Sequence, residues 1–374
     1  MKLQFHHHGK QFFFVTLSLE GRPSALSRLV EGQARPDLLP PGEVVKAGFA
    51  AMHKVFPAAT LSNFVIMPDH VHYLLIADYE VSRGFNPLWT SHLLMDAIEE
   101  GWCRMAGGLA PEPPDMAPML AQAYERGREE AARMEAAMAL AEAAEASEAE
   151  RLALAARLRG EFRARRGFGG PGGTPPSLLR FDRRCYIELS FGAAQLKAIR
   201  HYIRCNPARA LWKLQHPDRF VRFADIRHPI LDASRPWDAM GNLTLLGSPF
   251  LYHVRLTLQK SATEHEAAIS EIMEKAERGL IPVSGFISPG EKELLRRLKA
   301  NPRTRFIKML PYALPPRYDP TVEDSRELAA DRMLILSGFP QTILQTRNDP
   351  AFRTNCLRLN DLAAALCAAA RRRG

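Results

Sequence analysis

The sequence predicts two successive mixed units, first an α+β unit carrying a helical insertion, then an α/β unit, and three observations lead there. Runs rich in aromatic and β-branched residues alternate with helical patterns before residue 100. A block rich in Ala, Glu and Arg then occupies about residues 105–177, and after Gly241 strand and helix patterns alternate regularly. A chain of 374 residues has the length of two domains, or of one domain with a large insertion. The boundary is expected near residue 240, giving units 1–240 and 241–374.

Phe12 to Leu17 reads as a strand, and Pro41 to Phe56 as a helix with Val44, Val45, Phe49, Met52 and Val55 on its apolar stripe. Phe64 to Met67 is a strand, broken by Pro68-Asp69. His70 to Ile76 follows, apolar on both faces and so expected inside a sheet. Leu88 to Arg104 reads as a helix and Pro111 to Pro114 as a linker. Met116 to Arg166 has no β-branched residue, which predicts one long helix or a helical hairpin on a solvated insertion. The Gly- and Pro-rich stretch from Gly167 to Pro176 ends it. Ala193 to Cys205 is a helix expected to stop at Asn206-Pro207, because a residue before proline is pushed out of the α region.

In the second unit, strands are expected at Val254–Leu258, Ile281–Val283, Phe306–Leu310 and Met333–Leu336. Helices are expected at Glu264–Arg278, Glu291–Ala300, Glu323–Ala330 and Leu357–Arg371. Such alternation predicts a parallel sheet with helices on both faces.

Composition narrows the function. An apolar share of 46% supports a sizeable core, and a formal charge of +9 favours an anionic partner, nucleic acid being the commonest. The five cysteines (103, 185, 205, 356 and 367) form no C-x-x-C pair, which argues against a disulfide framework or zinc knuckle and fits a reducing cytosol. The apolar run Phe12–Leu19 is too short to span a membrane and lacks a signal-peptide cleavage pattern, so a cytoplasmic protein is expected.

His70 and His72, two apart on a strand, project from one face. A buried pair of imidazoles needs partners, and one metal ion can satisfy both. Further on, Tyr202 and Asn206 lie four apart on a helix and share a face, beside an apolar stripe of Leu196, Ile199 and Ile203. The strings Met67-Pro68-Asp69-His70-Val71-His72 and Tyr202-Ile203-Arg204-Cys205-Asn206-Pro207 resemble the two signature segments of REP-associated tyrosine transposases, single-tyrosine enzymes of the HUH class. The resemblance covers about residues 10–100 and 180–225. It implies an antiparallel, ferredoxin-like sheet flanked by helices, with the histidines on a central strand. It also implies His70, His72 and Asn206 as ligands of Mg²⁺ or Mn²⁺ and Tyr202 as nucleophile. The expected partner is single-stranded DNA bearing a hairpin. Oligomeric state is left open, a homodimer included.

This chemistry suits the residue types. Free tyrosine, with a pKa near ~10, is a poor nucleophile at neutral pH and needs activation. Tyr73 follows His72 and faces the other way, and the direction of Tyr186 is open. Arg200, Arg204, Arg209 and Lys213 flank the tyrosine helix as candidate phosphate contacts, with Arg183 and Arg184 upstream. His6-His7-His8 is given no role.

In the second unit Ser284-Gly285-Phe286-Ile287-Ser288-Pro289-Gly290-Glu291-Lys292 follows a strand and opens a helix. Ser288 and Glu291 form a capping box with Pro289 at the first helical position. The same loop, through Ser284, Gly285, Ser288 and Gly290, is a candidate anion site. This segment resembles the Rossmann-like fold of DNA-processing proteins and of lysine-decarboxylase-like nucleotide-binding proteins, without a full G-x-G-x-x-G. Together with Gly241-Asn242-Leu243 and Asn355-Cys356-Leu357-Arg358-Leu359-Asn360 it resembles a transposase-like subgroup with an appended Rossmann-like domain. Two rival readings follow: a DNA-binding protein of the same fold that does not cleave, and a nucleotide-handling enzyme acting through the second unit.

Overall fold

The computed structural model describes residues 9–81, 85–106, 112–143, 147–165, 179–190, 192–256, 262–342 and 351–373. His6, His7, His8, Arg166, the whole Gly- and Pro-rich stretch and the end of the strand expected at 254–258 lie outside them. The chain forms two compact units, residues 1–208 and 209–374.

The first unit contains strands β1 (Lys10–Ser18), β2 (Ser27–Arg28), β3 (Asp37–Leu38), β4 (Ala59–Ile66), β5 (His70–Asp78) and β6 (Tyr186–Ser190). Its helices are α1 (Pro40–Val55), α2 (Pro87–Ala106), α3 (Met116–Ala143) and α4 (Glu148–Arg165), and α5 (Ala193–Gln215) begins in it. Strands β4-β5-β1-β6 make one four-stranded sheet, in that order and antiparallel throughout. β5 is an internal strand, as its two apolar faces require. Pro68 and Asp69 make the tip of a tight hairpin, closed by Met67 N–H on the His70 carbonyl at 2.8 Å.

Alternation divides the sheet into two faces. Val15, Leu17, Val71, Tyr73 and Leu75 are buried on one face with Val44, Phe49 and Met52 of α1 and Leu93, Leu94 and Ile98 of α2. The insertion is not merely solvated: Met116, Met119, Leu120 and Ala123 of α3 complete this core. Helix propensity alone cannot separate the packed end of an Ala-rich helix from its solvated remainder. The segment folds as two helices rather than one.

A buried ionic cluster ties the lead-in to β6 onto α2. Arg183 meets Asp96 at 2.7 Å and Glu99 at 2.5 Å, and Glu99 also accepts the Phe181 N–H at 2.8 Å. This cluster takes Arg183 out of the set of candidate phosphate contacts.

Two expectations about chain course are corrected. Helix α5 runs through Pro207 instead of stopping at Asn206. The proline forfeits one backbone hydrogen bond, and the burial of Ile203 before it and the hydrogen bonds of Arg209 after it offset that loss. The second unit begins at Arg209 rather than near residue 240, because β8 (Asp238–Gly241) pairs inside its sheet.

That sheet has six strands in the order β7-β8-β12-β11-β10-β9: β7 (Arg222–Phe223), β8, β9 (Leu251–His253), β10 (Ile281–Ser284), β11 (Phe306–Met309) and β12 (Met333–Ser337). Strands β9 to β12 are parallel, and β8 and β7 are added antiparallel at one edge. The expected parallel sheet is thus the larger part of a mixed one. Helices α6 (Ala262–Glu277), α7 (Pro289–Ala300) and α8 (Val322–Ala329) contribute to one apolar cluster, and α9 (Phe352–Arg371) to another.

The Gly241-Asn242-Leu243 string has a structural explanation. Gly241 sits at φ +103°, where an added Cβ would lie 2.5 Å from the Met333 carbonyl oxygen. Asn242 caps the 3-10 turn that follows by accepting the Thr244 N–H.

Glu99 generates a pH prediction. Burial pushes its carboxyl up from 4.5 to about 7, outweighing the attraction of Arg183 and the Phe181 hydrogen bond. The folded chain therefore holds a proton there between pH 4.5 and about 7 that the unfolded chain has released, so stability falls as pH rises through that window. Relative to Glu99→Gln, the wild type should lose up to about 3 kcal/mol across it. Denaturant unfolding of both proteins at a series of pH values checks this. Parallel stability curves would show that Glu99 is already ionised in the fold.

Candidate functional site

The face of the first sheet opposite the helical core carries the even-numbered residues of β1, with His70 and His72 of β5. Thr16 lies opposite His72 in register, and Val65 of β4 flanks His72 on its other side. Helix α5 contributes residues to this face.

Both imidazoles are oriented by a second partner. His70 Nδ1 meets Asp69 Oδ1 at 2.6 Å, and Asp69 Oδ2 pairs with Arg22 Nε at 2.8 Å. Burial raises the Asp69 carboxyl, but the His70 hydrogen bond and the His70 and Arg22 charges outweigh it and hold the group below the usual carboxylate range. A carboxylate only accepts, so Nδ1 of His70 carries the proton and its Nε2 presents a lone pair when the ring is neutral. His72 Nδ1 lies 2.8 Å from Thr16 Oγ1. The two Nε2 atoms then meet at 3.1 Å. A carboxylate behind an imidazole, as Asp69 is behind His70, is a familiar second-shell arrangement of metal sites.

Tyr202 is half-buried against this pair. Its ring centroid is 5.4 Å from that of His72 and 5.8 Å from that of Phe14, and Phe14 stacks on His72 at 5.2 Å. Asn206, one helical turn further on, is buried, and its Nδ2 has no hydrogen-bond partner among the described residues. A buried amide of that kind calls for a partner. Tyr73 lies on the opposite face, fully buried and hydrogen-bonded to Ser91 at 2.8 Å, and burial raises its phenol.

Several residues of this face are missed by sequence reading. Thr16 and Phe14 belong to a strand whose register only the fold reveals. Tyr186 is exposed on edge strand β6, donates to Glu188 at 2.6 Å and lies 6.3 Å from Phe14 by ring centroids. The Glu188 hydrogen bond, then burial, raises the Tyr186 phenol. Asp69 was legible, as the residue directly before His70.

The basic residues separate. Arg200 and Arg204 are exposed on α5. Arg209 is only 4% exposed and donates to Asp319 at 2.6 Å and to the Pro320 carbonyl at 3.0 Å, while Lys213 meets Asp319 at 2.9 Å. Arg209 is therefore a structural cation of the second unit and not a surface phosphate contact, and Lys213 has a carboxylate already beside it.

The candidate anion loop is also corrected. Glu291 Oε2 accepts from the Ile287 N–H at 2.9 Å and the Ser288 N–H at 3.3 Å. Ser288 Oγ takes the Glu291 N–H and donates to the Leu256 carbonyl. Ser284 is buried and its Oγ accepts the Phe286 N–H at 3.1 Å. Donors expected to hold a phosphate are occupied by the chain's own carboxylate. Gly285 and Gly290 serve packing, since added Cβ atoms would meet Leu359 at 2.5 Å and Leu256 at 3.3 Å.

Replacing Arg209 separates the two roles. Arg209→Ala should destabilise the fold by about 1–3 kcal/mol through its lost hydrogen bonds. Affinity for DNA, measured well below the melting temperature, should stay within twofold of wild type. A tenfold loss of affinity without a loss of stability would return Arg209 to the binding surface.

No protein-family model matches the chain, and none of the curated proteins does. Among solved structures, DNA processing protein A from Helicobacter pylori, described for its single-stranded DNA binding mode, is 21% identical over 40% of this chain and 67% of that one, with a TM-score of 0.30. A likeness that slight carries no argument about fold or function.

Proposed function

We propose that this chain binds single-stranded DNA and cuts and rejoins it through Tyr202, in the manner of HUH single-tyrosine transposases. The observation that carries the reading is the convergence of His70 and His72 Nε2 atoms at 3.1 Å, with the Tyr202 ring packed on His72. An antiparallel sheet with H-x-H on an internal strand, covered by a tyrosine-bearing helix, supports the ferredoxin-like HUH assignment. Four parallel strands with helices on both faces support the Rossmann-like assignment of the second unit.

The residues fit a divalent ion. His70 Nε2 and His72 Nε2 would hold it, with the carbonyl oxygen Oδ1 of buried Asn206 as a third ligand. Bound there, Mn²⁺ or Mg²⁺ would neutralise charge on the scissile phosphate and polarise its P–O bond, and two imidazoles suit Mn²⁺ at least as well as Mg²⁺. Asp69 and Thr16 fix the ring orientations, and Phe14 and His72 hold the tyrosine ring. The phenol oxygen of Tyr202 forms a bond to phosphorus, and the bond from phosphorus to the 3′ oxygen breaks. The proton lost from the phenol is balanced by the one gained at the 3′ oxygen. The phosphotyrosine retains the energy of the phosphodiester, so attack by a 3′-hydroxyl rejoins DNA without a nucleotide cofactor.

One observation favours the second reading, a DNA-binding protein of this fold that does not cleave. With Thr16 donating to His72 Nδ1 and His72 Nε2–H donating to His70, every imidazole nitrogen is satisfied without an ion. No cluster of three His, Cys, Asp or Glu suited to a metal occurs among the described residues either.

The deciding experiment incubates the protein with Mn²⁺ and 5′- or 3′-labelled single-stranded hairpin DNA, and looks for an adduct that survives denaturation. Wild type should form one through the 5′ phosphate of the fragment downstream of the cut, so that the 3′-label travels with the protein. Tyr202→Phe should abolish it with DNA affinity nearly unchanged, and His70→Ala should do the same. An adduct that persists in Tyr202→Phe moves the nucleophile, with Tyr186 next in line. DNA binding without adduct across a broad panel of hairpins establishes the non-cleaving reading.

A further inference from the structure

Beside the histidine face, a cleft of about 770 Å³ opens between edge strand β4 and the first turns of α5. That volume lies within the ~300–1,000 Å³ range of small-molecule sites. Its apolar lining includes Val65, Leu196 and Ile203, and its basic lining Arg35, Lys197, Arg200 and Arg204. The cleft adjoins the candidate site on two elements. Val65 is the register partner of His72, and Ile203 is the neighbour of Tyr202 on the helix.

Two features point to what fills it. First, no carboxylate among the described residues pairs with any of the four cations; the side-chain partner seen for Arg204 is His201, at 3.2 Å. Arginines elsewhere in the chain, such as Arg209 and Arg297, are tied to acids. Four like charges around one cleft repel one another, and an anionic ligand relieves that repulsion. Second, an apolar surface lies among these cations. A phosphate alone has no use for it, whereas a nucleobase does. A duplex keeps its bases stacked inside a convex rod, so it would touch the rim only.

The edge strand also supplies a reader. Leu61 pairs with Leu75 and Asn63 with Leu74, leaving Ser62 as the extra residue of a β-bulge. The bulge turns Asn63 onto the same face as Val65 and His72. Bulges beside functional sites commonly re-aim one side chain in this way. Asn63 Oδ1 accepts from Ser62 Oγ at 3.1 Å, and Asn63 is part of the cleft lining.

We infer that this cleft is a base-recognition subsite. An unpaired nucleotide next to the cut lies against Leu196 and the exposed Phe64, with Val65 and Ile203 behind them, its flanking phosphates rest on Arg35, Lys197, Arg200 and Arg204, and Asn63 reads its edge. The inference rests on the reading above that the partner is single-stranded DNA.

The test uses the full chain carrying Tyr202→Phe, which cannot form an adduct, and a fluorescein-labelled mixed-sequence oligodeoxynucleotide, single-stranded or annealed. Anisotropy should show tighter binding of the single strand. The double reversal Arg200→Glu/Arg204→Glu should weaken it by roughly tenfold or more and reduce the salt slope of log Kd by about one to two. The same change in net charge made at the end of α6, Lys275→Glu/Arg278→Glu, should leave affinity within about twofold. Asn63→Ala should flatten a base preference of roughly fivefold or more at one position of oligonucleotides varied one base at a time. Circular dichroism checks that each variant folds. Equal affinity for duplex, or unchanged single-strand binding after the α5 reversal, overturns the subsite. If the wild-type chain still forms its adduct in that case, the nuclease reading stands and only the subsite falls. If the chain neither binds single strands nor forms an adduct, both fall together.

Discussion

Everything at the candidate site depends on the alternation of β5. An internal strand has two faces to satisfy, and β5 assigns them different jobs. Val71, Tyr73 and Leu75 enter the apolar core with α1 and α2, while His70 and His72 stand on the other face. A slip of one residue in pairing would put two imidazoles into hydrocarbon and Tyr73 out of it, a change costing several kcal/mol, on the order of the whole stability of a domain. Burial of the core side thereby holds the histidine side in register. The same register brings Thr16 opposite His72 and Val65 beside it.

On that platform each imidazole is oriented from behind. Asp69 sits at the tip of the β4–β5 hairpin, where Pro68 breaks the strand, and it joins Arg22 to His70. The device that reverses the chain also delivers the carboxylate that sets a tautomer. Phe14 then acts as a spacer, stacked on His72 and edge-on to Tyr202. The geometry therefore brings the two Nε2 atoms together as a hydrogen-bonded His–His pair.

The second unit shows how one motif can hold an anion of its own making. The loop before α7 offers backbone donors at a helix N-terminus, the usual place for a phosphate. Here Glu291 folds back onto them as the acidic half of a capping box. Buried carboxylates recur in this unit with cations beside them. Asp324 is fully buried between Lys299 and Lys308, each at 2.6 Å, and burial raises its carboxyl less than the charges and hydrogen bonds of the two lysines together lower it. Such pairs hold helices to strands, and removing one member leaves a buried charge uncompensated.

Local pattern determined much of this protein. The period of two on β5 placed both histidines on one face, and the spacing of four put Tyr202 and Asn206 on one side of a helix. The alternation after residue 241 announced parallel strands with helices between them. These signals survive because they depend on neighbours within a few residues. Tertiary structure decided what depends on distant ones. Proline at 207 reads as a helix end, yet packing on both sides of it keeps α5 continuous. Arg209 reads as one more surface cation among Arg200, Arg204 and Lys213. Only the fold brings Asp319, more than a hundred residues away, to bury it. The first turns of α3 read as solvated, but the core needed Met119 and Leu120 to close. Strand β6 escaped notice altogether, because an edge strand with one face exposed carries little apolar signal. Its Tyr186 and Glu188 reach the site through pairing with β1, and sequence spacing does not encode that pairing.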